Sequence, residues 1–277
     1  MSDGGFAGFA NLPLISGKDL FSDEIFDTKY MNEEEKEKVK EFSAQYKILM
    51  EYGNYEDAIE CTENFYKDKS IRFNHLRFLF VSYANIMLGK FDEAIKNCDD
   101  GIAGSMKDDA SAGQFYYSKS YALFEKNYQK MDKISSWKKP EEMGDEAKRK
   151  MVEYLEGMEN SRKCILMAEK ILGFSVTICV VKTPILLYSI HNKAEEGAIE
   201  CVNKGLSICE DDSEKMLLLK LKASVYGTIG PSLNKESQLR YKEEVDRCEE
   251  KLKELEKAGA KPYVVGSKAR NKEKENE

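Results

Sequence analysis

The sequence predicts an all-α protein built as a right-handed α-solenoid of helix–turn–helix repeats, and three observations predict it. The first is a phrase that occurs twice: residues 53–60 read GNYEDAIE and residues 89–96 read GKFDEAIK, 36 positions apart. A period of that size with helix–turn–helix content marks a stack of repeated units. The second is composition. The 277 residues include only 5 prolines and 18 glycines, which suits long helices and opposes an all-β chain with many turns. The third is that apolar residues make up 42% and charged residues 34%, enough core material for stacked helices and a heavily solvated outer face.

Residues 1–31 form an N-terminal arm, because Gly4, Gly5, Gly8, Pro13 and Gly17 oppose a regular helix. The arm is nevertheless rich in apolar groups (Phe6, Phe9, Leu12, Leu14, Ile15, Leu20, Phe21), so it is expected to pack on its own chain or on a partner. A repeat domain follows over 32–257. Asn32 is placed as an N-cap with Glu33, Glu34 and Glu35 in the first turn, where the helix dipole favours acids.

That first helix runs to about 52, Gly53-Asn54 turns the chain, and a second helix covers about 55–67. Helices at about 73–88, ending at Gly89, and 91–103 come next. A fifth covers about 111–125, a turn falls at Lys126-Asn127-Tyr128, and a sixth stops before Pro140. Segment 141–172 reads as helical, either one long helix or a hairpin broken near Gly157. Helices at about 176–191 and 195–209 precede one at about 214–228 capped by Asp211, Asp212 and Ser213. A last Glu/Lys-rich helix occupies about 235–257, and 258–277 is a charged tail.

Aligned on their turn residues, these units resemble tetratricopeptide repeats, a 34-residue motif in which small residues let two helices approach and aromatics fill the gaps between repeats. The unit turning at Gly53 has Phe42, Leu49, Tyr55, Ala58 and Phe65 at motif positions, with Tyr46 where the family wants Gly. The unit at Gly89 has Phe78, Ser82, Phe91 and Ala94, with Asn85 and Gly101 departing from the pattern. The unit at Lys126 keeps Phe115, Ala122 and Tyr128 but has Met131 in place of Ala. Lys193 with Ala198, and Gly230 with Ala223 and Tyr226, mark two more. The turns at 53, 89, 126, 193 and 230 are 36, 37, 67 and 37 apart, so 141–172 is expected to hold one degenerate repeat. The match is best over residues 39–103.

The resemblance implies a function in binding proteins. In this family a concave surface is formed by the first helix of each repeat, which here implies Lys40 and Lys47 from the first unit. It implies Leu76, Leu79, Tyr83, Ile86 and Met87 from the second, and Tyr116, Ser120 and Leu123 from the third. That surface is apolar and aromatic with lysines at one end, so the expected partner is an apolar or amphipathic protein segment, or a larger complex. Chaperone-binding members clamp a C-terminal carboxylate with Lys, Asn and Arg; the corresponding positions here are Ser43, Lys47, Phe80, Gly113 and Tyr117, so a co-chaperone of that kind is disfavoured.

Catalysis has little support, with no G-x-G-x-x-G, no P-loop and no H-E-x-x-H. Ser135-Ser136-Trp137-Lys138 fits S-x-x-K alone, and His75 and His191, the two histidines, sit at helix ends. The acids at 33–35 and Asp99-Asp100 read as solvated faces. No cofactor or metal is expected: the seven cysteines include no C-x-x-C pair and lack neighbouring histidines. They read as reduced, buried thiols, and with no secretory signal at MSDGGFAGF the expected compartment is the cytoplasm. The net charge of −7 opposes nucleic acid and anionic membrane.

The apolar run 171–190 has Gly173, Lys182 and Pro184 within it and reads as a buried repeat helix rather than a membrane span. The expected function is thus a non-enzymatic adaptor or scaffold subunit of a cytosolic assembly. The alternative is a soluble trafficking or membrane-tethering factor whose tail lysines meet acidic lipid, against the acids Glu273, Glu275 and Glu277.

Overall fold

The structure, a computed structural model, describes residues 31–67, 74–106, 110–131, 144–189, 193–230 and 234–261. The arm at 1–30, the tail from 262, His191 and Ser135–Lys138 lie outside the described residues. Among the described residues all regular structure is helical: α1 Glu33–Glu51, α2 Tyr55–Phe65, α3 Leu76–Met87, α4 Phe91–Gly104, α5 Ala110–Met131, α6 Asp145–Leu172, α7 Val176–Tyr188, α8 Ala194–Ile208, α9 Asp212–Ile229 and α10 Lys235–Lys257.

The helices begin where capping chemistry lets them. Asn32 accepts a hydrogen bond from the Glu35 amide at 2.9 Å while Glu35 accepts one from the Asn32 amide at 2.9 Å, a reciprocal capping box. Asp211 caps α9 through the Glu214 amide and Asn234 caps α10 through the Ser237 amide. Gly53 and Gly89 turn the chain at φ 77° and 71°, the left-handed region that glycine enters without penalty. Lys193 makes the corresponding turn before α8 at φ 75° although it carries a side chain.

Two compact units divide the chain, one holding residues 31–173 and the other 174–261 among those described. In the first, each of α1 to α6 packs on the next and α3 also touches α5. In the second, each of α7 to α10 packs on the next and α7 touches α9. The first unit's core begins in an aromatic cluster. Phe42 stacks on Phe65 with ring centres 4.3 Å apart, and Phe80 meets Phe42 and Tyr46 edge-on at 5.1 and 5.0 Å. Ala58 and Ala94 are fully buried. The second unit's core is aliphatic and sulfur-rich, with Cys179, Val180, Val202, Leu218 and Leu221 packed together.

Several expected boundaries moved. No turn occurs at Lys126-Asn127-Tyr128, because α5 continues to Met131. Asn127 is buried and donates to the Leu123 carbonyl at 2.6 Å, Tyr128 stacks on Phe124 at 5.5 Å, and Lys126 pairs with Asp92. Segment 145–172 is one 28-residue helix, not a degenerate hairpin. Gly157 is interior to it, and a Cβ there would lie 2.2 Å from Asn127, so this glycine provides a close approach to α5 rather than a break. The run 171–190 is interrupted at Gly173, φ 81°, and its helix α7 is 13 residues long. No helix among the described residues is long and apolar enough to cross a membrane.

Candidate functional site

The side chains the sequence places on a concave surface come from α1, α3 and α5, and the structure divides them by depth. Leu76, Leu79, Tyr83 and Ile86 of α3 are buried, as is Ser120 of α5. Met87, Tyr116 and Leu123 are half-buried, and Lys40 and Lys47 are exposed on α1. The reason lies in α3, LRFLFVSYANIM, which is mostly apolar and packs against α2, α4 and α5. Residues 76, 79, 83 and 86 are therefore core in this structure. The apolar part of the set that reaches solvent is Met87, Tyr116 and Leu123.

The polar contacts that cross between helices have a pattern that sequence reasoning missed. Tyr46 of α1 donates its phenol proton to the Phe80 carbonyl of α3 at 2.7 Å, 34 positions on. Ser82 of α3 and Ser118 of α5 lie 3.0 Å apart, 36 positions on. Ser82 also donates to the Leu79 carbonyl at 2.7 Å. His75 and Ser111, also 36 apart, meet at 3.3 Å. Tyr83 donates to Gln114 at 3.4 Å. Beyond α5, Ser161 of α6 donates to the Ser120 carbonyl at 2.7 Å. The usable signal was the serine at 82 and the serine at 118, polar residues on otherwise apolar faces one period apart.

Around this seam sits a second polar group: Cys98 of α4 beside Ser82 and Ser118, with Lys119 bonded to Asp99 at 2.5 Å and Cys164 of α6 near both. Burial pushes the Cys98 thiol up to about 12, partly offset by hydrogen bonding with Ser118 and Ser82, and the Cys164 thiol up to about 11. Burial works to lower Lys119, but the bond and charge of Asp99 hold it above its usual value. Thiols kept protonated in this way are poor nucleophiles and poor metal ligands. Among the described residues no group of three or more His, Cys, Asp or Glu is placed to hold a metal ion, and none of the seven cysteines is in a disulfide. On α5, burial raises the Glu125 carboxyl to about 6, partly offset by its hydrogen bond with Tyr121.

The positions of a carboxylate clamp do not form one. Phe80, Gly113 and Tyr117 are buried, and a Cβ on Gly113 would lie 2.6 Å from Leu172. No protein-family model matches the chain, and neither a curated protein nor a solved structure gives a significant match.

Proposed function

We propose that this chain is a non-enzymatic helical-repeat adaptor, a right-handed α-solenoid similar to tetratricopeptide repeats, that holds an apolar or amphipathic segment of a partner protein in the cytoplasm. The observation that carries this reading is the offset of the cross-helix hydrogen bonds: residues 34 or 36 positions apart touch, as equivalent sites in successive stacked repeats would. Alternate-helix contact, α3 with α5 and α7 with α9, supports the same stacking. The side chains it offers are the half-buried Met87, Tyr116 and Leu123 and the exposed Lys40 and Lys47. An aromatic such as Tyr116 contributes contact area at low entropic cost.

The test is capture from native extract on the intact protein, read by quantitative mass spectrometry, with Tyr116→Ala/Leu123→Ala beside the parent. Partners lost selectively from the variant, with unfolding unchanged, support this surface. Equal capture by both places the binding elsewhere. Retention on acidic liposomes without any protein partner favours the tethering alternative.

A further inference from the structure

In the second unit α8 buries a row of mostly small residues, Ala198, Cys201, Val202 and Gly205. A Cβ built on Gly205 would lie 2.5 Å from the Cys179 Sγ, so this glycine is what lets the thiol of α7 reach the backbone of α8. There Cys179 donates to the Cys201 carbonyl at 3.3 Å, 22 positions on in the chain, and lies within hydrogen-bond reach of the Cys201 thiol. Both residues belong to one buried cluster with Val180, Val202, Leu218 and Leu221, and neither is in a disulfide. Two thiols in contact, carried by two packed helices, meet the first requirement of a disulfide, which is that the backbones already hold the sulfurs close.

We propose that Cys179 and Cys201 are an oxidisable pair, converted by hydrogen peroxide into a disulfide that ties α7 to α8. Exposure sets the order of events, since Cys201 is 6% exposed and Cys179 0%. The Cys201 thiolate attacks one peroxide oxygen and the O–O bond breaks. Hydroxide leaves, takes up the thiol's proton as water, and Cys201 becomes a sulfenic acid. The Cys179 sulfur then attacks the Cys201 sulfur, the S–O bond breaks, and the hydroxyl leaves with the Cys179 proton as a second water. Two thiols have lost two electrons and two protons to one peroxide. The bond to Cys201 and burial hold the Cys179 thiol well above its usual range, so the pair reacts slowly and answers sustained oxidant. Access comes from α7 itself. Pro184 lies inside it and cannot donate to the Val180 carbonyl four residues back, which makes the helix easiest to open beside Cys179.

The test exposes folded full-length protein to graded hydrogen peroxide, blocks the remaining thiols with N-ethylmaleimide in denaturant, and maps peptides by mass spectrometry without reduction. Cys179 and Cys201 should lose labelling together and appear as one crosslinked peptide that dithiothreitol separates. Cys98, fully buried in the other unit, should stay reduced. Amide exchange in α7 and α8 of the crosslinked protein should slow by on the order of a hundredfold, the chain-entropy effect of closing a loop of this length. Survival of both thiols at peroxide that oxidises the half-buried Cys61 and Cys209 overturns the proposal. So does a Cys201 oxidised past sulfenic acid while Cys179 keeps its thiol. A crosslink that appears only when Cys98 is oxidised as well marks an unfolded chain and also overturns it, as does unchanged exchange in crosslinked protein.

Discussion

Gly101 tests the packing of α4 on α5 most directly. It is buried near the end of α4, and a Cβ built on it would lie 2.2 Å from two atoms of the Phe115 ring. Ordinary contact begins at 3.4 Å, so 3.4 − 2.2 = 1.2 Å is the least the ring must move. Phe115 is fully buried, so that movement disturbs its neighbours. In an open helix Gly→Ala gains about 1 kcal/mol from propensity. Overpacking of a tight crossing costs about 1–3 kcal/mol.

Set against each other, the two effects give Gly101→Ala a net loss of up to about 2 kcal/mol. Gly227, in the interior of α9 with nothing within 4 Å of its Cβ position, is the control: Gly227→Ala should gain about 0.5–1 kcal/mol. Urea unfolding followed by circular dichroism reads both, and Phe115→Leu in the Gly101→Ala background should recover about 1 kcal/mol as coupling. Stabilisation by Gly101→Ala equal to that of Gly227→Ala would refute the register of α4 on α5.

The Glu125 carboxyl, raised from 4.5 to about 6, contributes stability that is complete below pH 4.5 and lost as pH rises through about 6. The loss is at most about 2 kcal/mol, and Glu125→Gln should flatten it in melts taken across that window. Asn32→Ala removes one half of the capping box and should cost about 1 kcal/mol, with faster hydrogen exchange confined to the first turn of α1. Tyr46→Phe removes the phenol's bond to the Phe80 carbonyl and should cost about 1 kcal/mol in the same urea experiment; a neutral result would mean that water or another donor replaces the phenol.

Much of the helix order was legible because its punctuation is local. Gly53 and Gly89 need φ above zero, and Asn32 and Asp211 have side chains that reach their own third helical amide, so each marks a boundary without reference to the fold. The failures are tertiary. Lys126-Asn127-Tyr128 reads as a turn by analogy with its neighbours, yet no glycine is present, and Asn127 settles inside α5 because Gly157, thirty residues on, leaves room for it. The candidate surface failed in the same way. An α3 this rich in apolar residues gives sequence alone little to tell an open face from a covered one, so the depth of Leu79 and Tyr83 depended on α4 and α5.

Ser82 and Ser118 are the same residue type, one period apart, in contact inside the protein. If the later unit arose by duplication of the earlier, a single ancestral side chain now faces its own copy. Few polar groups tolerate that. A buried lysine or carboxylate would meet its like charge, whereas a hydroxyl is both donor and acceptor and is therefore complementary to itself. Self-complementarity of this kind lets a chain lengthen by copying without first acquiring a new pair of matched residues. It also ties the two positions together afterwards: replacing either serine with an apolar residue removes the hydrogen bond they share in a closed space.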